Sequence, residues 1–100
     1  MKRFAAVWFG VLALSAFAHG EDLPIETSSE LRDWCRTQTR EYFVDQGKTP
    51  FNWTASHRTQ GNLLEVRGKW RIDGVDVMVE CHVARGAKRA DASFSLGEEV

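Results

Sequence analysis

The segment LEVRGKWRIDGVDVMVECHV, residues 64–83, decides the fold of this chain. Apolar and polar residues alternate on both sides of Asp73 and Gly74, which is the period of a strand with one buried face. Asp-Gly is a strong signal for a two-residue hairpin loop, because both central positions of a type I′ turn need a positive φ. The segment therefore predicts two antiparallel strands joined at Asp73-Gly74.

The turn fixes the register of this hairpin, and the register can be tested within the sequence. On the apolar face the predicted pairs are Ile72–Val75, Trp70–Val77, Gly68–Val79, Val66–Cys81 and Leu64–Val83. On the other face they are Arg71–Asp76, Arg67–Glu80 and Glu65–His82. Every polar pair is complementary, as expected of a true hairpin. A slip of one residue would place valines opposite charges.

Two further strands are predicted around this hairpin. Upstream, alternation over residues 51–57 predicts a strand, and a four-residue turn at 59–62 would place Trp53 opposite Gly68 and Phe51 opposite Trp70. An indole over a strand glycine fills the space that the missing side chain leaves. His57 would close this strand on its core side, partly buried. Downstream, the loop Arg85-Gly86-Ala87-Lys88-Arg89 leads to a fourth strand over residues 90–96.

A helix precedes the strands. Thr27 and Glu30 have the spacing of a capping box, so the helix should begin near Ser28. One stripe at helical spacing should face the core: Leu31, Trp34, Cys35, Gln38, Tyr42 and Phe43. Charged residues face away from it: Arg32, Asp33, Arg36, Arg40 and Glu41. Gly47 and Pro50 end the helix.

The two cysteines connect these layers. Cys35 lies on the helix stripe and Cys81 on the apolar face of the hairpin, so a disulfide between them would join helix to sheet. The chain-entropy model gives such a bridge about 4 kcal/mol in a small domain. The predicted fold is α+β: one N-terminal helix packed on a four-stranded antiparallel meander in the order α-β-β-β-β.

The first residues resemble a secretory signal. Met1-Lys2-Arg3 is basic, the run from Phe4 to Phe17 carries no charge, and Ala16 and Ala18 are small enough for cleavage after residue 18. The run is short for a membrane anchor, which is the alternative. The predicted organisation is a cleaved signal at 1–18, an extended leader at 19–26, one domain at 27–97 and a tail at 98–100. Localisation would be periplasmic or secreted, with no stable membrane span after cleavage.

Charge excludes one class of partner. The formal net charge is −1 over the whole chain, and removing Lys2 and Arg3 with the signal makes it −3. Nucleic-acid binding needs a clearly basic face, so no nucleic-acid partner is predicted. The oligomeric state is open.

No set of residues indicates catalysis, a cofactor or a metal. The sequence therefore predicts no catalytic residue, no cofactor and no metal ligand. The alternative is a hydrolase-like enzyme that uses His82 with Glu80 and Glu65, because a carboxylate can orient an imidazole base. Six basic residues are candidates for binding a protein or an anionic envelope component: Arg85, Lys88, Arg89, Arg67, Lys69 and Arg71.

The layout resembles the cystatin-like architecture, which protease inhibitors share with many unrelated binding domains. The nearest match to the inhibitors' Gln-x-Val-x-Gly motif is Leu64-Glu65-Val66-Arg67-Gly68, which lacks the Gln and lies within a strand.

With no catalytic, cofactor or metal residues predicted, the leading hypothesis is a small exported, non-enzymatic interaction domain. A third alternative is a structural or assembly subunit that dimerises through an edge strand, either residues 90–96 or the first strand.

Overall fold

The computed structural model describes residues 22–97. Its elements are α1 (Ser28–Asp45), β1 (Phe51–Gln60), β2 (Leu63–Ile72), β3 (Val75–Ala84), a short 3₁₀ helix (Arg89–Asp91) and β4 (Ser93–Leu96). The strands form one antiparallel sheet in the order β1-β2-β3-β4. The helix packs against one face of this sheet, mainly over β2 and β3. The predicted α-β-β-β-β architecture is confirmed.

Helix α1 begins at the predicted capping box. The Thr27 hydroxyl accepts from the backbone N–H of Glu30 at 3.1 Å, and the Glu30 carboxylate accepts from the N–H of Thr27 at 3.3 Å. The fully covered positions of the helix are Leu31, Cys35, Thr39 and Phe43. Thr39 was not expected there, because a hydroxyl is costly to bury without a partner.

Thr39 has its partners. Its hydroxyl donates to the carbonyl of Cys35 at 2.7 Å and accepts from the indole N–H of Trp70 at 2.8 Å. Both Thr39 and Trp70 are buried, so this bond ties the middle of α1 to β2 inside the core. The Trp70 N–H is thereby satisfied, which is what allows a tryptophan to be buried here.

The β2–β3 hairpin has the predicted register throughout. Asp73 and Gly74 have φ values of 55° and 79°, as a type I′ turn requires. All the predicted pairs form, from Ile72 opposite Val75 at the turn to Leu64 opposite Val83. On the apolar face Leu64, Val66 and Val79 are at most 1% exposed.

The register predicted for β1 and β2 is wrong. The strands meet at Gln60 and Leu63, so the connection is the two residues Gly61-Asn62, with Gly61 at φ 59°. Glycine at the first central position suits a primed turn, which lets both strands run further than the four-residue turn allowed.

The shift moves every predicted partner of β1. Gly68 faces Ala55 instead of Trp53, and Phe51 pairs with Arg71 across an irregularity at Asn52, whose φ is 57°. The Trp53 ring nevertheless occupies the space above Gly68, where an added Cβ would overlap it. It reaches this position diagonally from the bulged segment.

The disulfide joins the two layers as predicted. The sulfur atoms of Cys35 and Cys81 are 2.04 Å apart, with Cα atoms 6.0 Å apart, and both residues are fully buried. Cys81 lies on β3 opposite Phe94 of β4. The bridge therefore fixes α1 over the sheet near its centre.

Two chain segments differ in extent from the predictions. The fourth strand covers Ser93–Leu96 and not all of 90–96, because residues 89–91 form the 3₁₀ turn. The leader, described from residue 22, belongs to the core through Ile25, which is fully buried. Its backbone bonds the loop after β3, with Ile25 N–H donating to Ala87 at 2.9 Å and Gly86 N–H donating to Ile25 at 2.7 Å.

Candidate functional site

The sheet face turned away from α1 carries most of the charged candidates. Alternation along β2 and its pairing with β1 and β3 set which side chains point outward. We call this surface the polar face. It comprises Thr54, Ser56, Arg58, Glu65, Arg67, Lys69, Arg71, Asp76, Met78, Glu80 and His82.

Each cation of the polar face is paired with an acid. The N–O separations are 3.0 Å for Arg58–Glu65, 3.3 Å for Arg67–Glu80, 3.6 Å for Lys69–Asp76 and 2.9 Å for Arg71–Asp76. The hairpin register produces these pairs, because opposite residues project side by side from neighbouring strands. The face is therefore a lattice of paired opposite charges and not a basic patch.

Asp76 has the most perturbed charge in this lattice. The hydrogen bond from Arg71 lowers the pKa of the Asp76 carboxyl, and the positive charge of Lys69 adds to the effect. The carboxyl therefore stays ionised to lower pH than an isolated aspartate.

His82, Glu65 and Glu80 do lie together. The His82 Nε2 atom is 3.6 Å from a carboxylate oxygen of Glu65. Glu80 lies two residues before His82 on the same face of β3, opposite Arg67 of β2. The groove beside them measures about 30 Å³, which is the share of one water molecule in the liquid. A substrate would have to bind above the sheet rather than inside a pocket.

Larger grooves cross the polar face further along. One of about 240 Å³ lies between β1 and β2 beside Arg58, Glu65 and Arg67. Another of about 450 Å³ runs over Gly68 and Met78 and is open along its length. Most of the residues that line them carry polar or charged groups, and both grooves are open, unlike the clefts that enclose small ligands. These grooves suit the side chains of a macromolecule.

Two arginines of the predicted basic loop form hydrogen bonds with the leader. Arg85 donates from Nη1 to the carbonyl of Glu26 at 3.2 Å. Arg89 donates from Nη1 to the carbonyls of Leu23 and Pro24 at 3.2 and 2.9 Å. These guanidinium groups therefore hold the leader against the loop. Lys88 remains exposed, with its backbone opposite Pro24.

The six candidate residues do not form one surface. Arg71 stands beside the Asp73-Gly74 turn, whereas the backbone N–H of Arg85 bonds to Asn62 at the far end of the sheet. Arg67 and Lys69 lie between these ends on the polar face. A partner would meet either the lattice or the loop first.

Three cations without an acid partner lie in a row on α1. Arg32, Arg36 and Arg40 recur every four residues, and we call them the arginine row. Within residues 22–97 none of the three has a carboxylate within 4.0 Å. These residues were predicted on the solvent side of the helix, and their four-residue spacing is the sequence signal that marks the row.

Two classes of site are not found in the part of the chain that the structure describes. No cluster of three or more His, Cys, Asp or Glu residues there could hold a metal ion. None of the helices described is long and apolar enough to cross a bilayer. His57, expected to be partly buried, is exposed, because α1 does not cover β1 at that point.

Comparison with protein-family models, with curated proteins and with solved structures found no match for this chain. The resemblance to the cystatin-like layout therefore stands on the order of the elements alone. The function has to be argued from the surface, since a fold by itself does not determine an activity.

Proposed function

We propose that this chain is a small exported, non-enzymatic binding domain whose partner is a macromolecule, either a protein or an anionic component of the cell envelope. The observation that carries the proposal is the polar face: an open surface of cross-strand charge pairs on one side of the sheet. Such lattices give specificity, because a partner must present complementary charges in the same pattern.

The rigidity of this face supports the proposal. Cross-strand pairs hold the charged side chains in place, and the buried disulfide fixes the sheet from the other side. A preorganised surface loses little side-chain entropy on binding, which leaves more of the interaction energy for affinity.

Export is supported by the cysteines and the N-terminal residues. A disulfide persists in oxidising compartments such as the periplasm or the extracellular space. The predicted signal at 1–18 lies outside the described residues, so this part of the proposal rests on the sequence pattern together with the bridge.

The enzymatic alternative is less well supported by the same geometry. General acid–base catalysis needs a substrate held within hydrogen-bond reach of the base. The groove that His82 lines measures about 30 Å³, and the larger grooves, including the one of about 240 Å³ beside Glu65, are open along the sheet. A hydrolase built here would gain little from excluding water.

The test is capture from a native envelope extract with a charge-swapped bait. In the double variant Arg67→Glu/Glu80→Arg the cross-strand pair and the net charge are kept, while the pattern at the centre of the lattice is reversed. We expect the wild-type protein to enrich a partner that the swap fails to retain, at an unchanged melting temperature. Lys88→Glu, on the loop, is the matched control.

Three results would count against the proposal. Equal capture by the wild-type and swapped proteins would remove the polar face as the binding surface. Enrichment of nothing over an unrelated disulfide-bonded domain of the same charge would remove the binding function. Turnover that disappears in His82→Gln would establish the enzymatic alternative instead.

A further inference from the structure

The arginine row lies on the flank of α1 that faces β1. The opposite flank faces β4, since Trp34 and Tyr42 contact Phe94 with ring centroids 6.4 and 5.7 Å apart. Those aromatic residues directly precede buried residues of the helix, whereas each arginine directly follows one. At 3.6 residues per turn the two sets lie on opposite sides of the buried stripe.

Helix α1, which carries the row, also runs alongside β1 for most of the length of that strand. Ser28, one turn before Arg32, has its hydroxyl 3.5 Å from that of Thr59 near the end of β1. Thr39, just before Arg40, bonds Trp70, whose ring centroid lies 4.9 Å from that of Trp53 near the start of β1. Helix and strand are therefore antiparallel neighbours.

Strand β1 is the open edge of the sheet beside this row. It has ten residues, against four in β4 at the other edge. Its core-side residues His57 and Thr59 are exposed, although their partners Val66 and Leu64 are at most 1% exposed. Natural edge strands are usually shortened, bulged or charged. Beyond its bulged start, β1 carries one charged residue, Arg58, which Glu65 neutralises.

The spacing of the row costs the helix stability and matches an extended chain. Like charges four residues apart on a helix repel by a few tenths of a kcal/mol per pair. The same spacing corresponds to about 6 Å along the axis. Alternate side chains of a strand are about 6.8 Å apart. A strand added to β1 with acids at every second position would place one carboxylate near each arginine.

We infer that the free edge of β1 and the arginine row together bind an extended peptide segment with acidic residues at alternate positions. The inference rests on the proposed binding function and names a second surface and its partner chemistry. Main-chain hydrogen bonds to β1 supply affinity, and the row selects the acidic pattern, as in other strand-addition interfaces. A second copy of this chain is disfavoured, because antiparallel pairing of two β1 strands would set two arginine rows against each other.

The experiment compares two synthetic peptides of about ten residues and equal composition. One has glutamate alternating with threonine, and the other has its glutamates in one block. Titration of the disulfide-bonded protein, followed by calorimetry, should show the alternating peptide binding about tenfold more tightly. Arg36→Gln/Arg40→Gln should weaken that binding about tenfold, as expected for two surface ion pairs with a shared geometry. Arg36→Lys/Arg40→Lys should retain most of it, and Lys48→Gln, the control at an exposed lysine outside both surfaces, should change nothing.

Amide hydrogen exchange distinguishes strand addition from charge attraction alone. The alternating peptide should slow exchange at alternate amides of residues 54–60. Equal affinity for the two peptides, no binding at millimolar concentration, or unchanged exchange in β1 would each overturn the inference. So would concentration-dependent protection of β1 without peptide, which would identify a second copy as the occupant. Failure here with persistent swap-sensitive capture from the envelope would leave the proposed function standing.

Discussion

The polar face and the arginine row treat positive charge in opposite ways. On the sheet, the hairpin register sets Arg67 beside Glu80 and Arg71 beside Asp76, so each cation is compensated. On the helix, Asp33 and Glu41 each stand one residue after an arginine, where side chains do not face each other, and Asp33, three residues before Arg36, does not come within 4.0 Å of it. Compensated charge supplies rigidity and pattern, whereas uncompensated charge is available to an anionic partner. The two surfaces are therefore suited to different partners.

The largest expected effect comes from cutting the link between these two regions. Cys35→Ser/Cys81→Ser should lower the free energy of unfolding by about 4 kcal/mol, since the unfolded chain then regains the freedom that the bridge removes. Thermal unfolding followed by circular dichroism measures it, with reduction of the wild-type protein as the parallel treatment. A melting temperature that neither change lowers would show that the layers hold together without the staple.

The hydrogen bond beneath the arginine row should have the next largest effect. Thr39→Val keeps the shape but leaves the buried Trp70 N–H without an acceptor, at a cost of about 1–3 kcal/mol in urea unfolding. Thr39→Ser keeps a hydroxyl and should lose much less. Equal losses in the two variants would mean that packing at Thr39, and not its bond to Trp70, positions the helix on the sheet.

Thr39 also shows which features of the fold could be predicted from the sequence and which could not. The Asp73-Gly74 turn dictates the β2–β3 register locally, so that hairpin and the paired charges on it could be predicted residue by residue. The partner of Thr39 lies on another element, and no local pattern indicates it. The hydrophobic stripe could be predicted with Gln38 in it, but the buried residue is Thr39.

Local sequence likewise does not determine the register of the first hairpin or the contacts of the leader. Thr59-Gln60-Gly61-Asn62 supports a two-residue or a four-residue turn equally well, and long-range packing of Trp53 over Gly68 fits either register with a bulge. The binding role of Arg85 and Arg89 was inferred from charge alone. Their contacts to the carbonyls of the leader depend on where Ile25 enters the core, which composition does not reveal.

A smaller effect is expected from reversing one charge of the lattice. Arg67→Glu replaces an ion pair with two facing carboxylates and should cost about 0.5–1 kcal/mol in urea unfolding, because both groups are half-exposed. Adding Glu80→Arg should recover most of that loss. A swap that recovers nothing would contradict the view that cross-strand pairing, and not the identity of each residue, holds the polar face.

On the helix, removing a charge should raise the free energy of unfolding instead of lowering it. Arg36→Gln removes the two like-charge contacts that Arg36 makes with Arg32 and Arg40 and keeps a good helix former, so stability should rise by about 0.5 kcal/mol. Arg58→Gln, taken from an ion pair on the sheet, is the matched substitution and should lower stability. Urea unfolding at low ionic strength measures both. A loss of stability in Arg36→Gln would mean that the row has partners within the folded chain.

The smallest expected effect concerns the acid range and the Asp76 carboxyl of the polar face, whose pKa is lowered. Because the hydrogen bond from Arg71 lowers the pKa of Asp76, the folded protein binds this proton less readily than the unfolded chain does. The stability that the group contributes is therefore complete above the ordinary aspartate pKa of about 3.9, and it is lost as the pH falls through the lower folded-state value.

Asp76→Asn should flatten that part of the stability curve, and Arg71→Gln should shift the loss toward the ordinary pKa. Urea unfolding between pH 2 and 6 measures both variants. If the stability-versus-pH curve of either variant has the same shape as that of the wild-type protein, the pairing seen on the polar face contributes no pH-dependent stability.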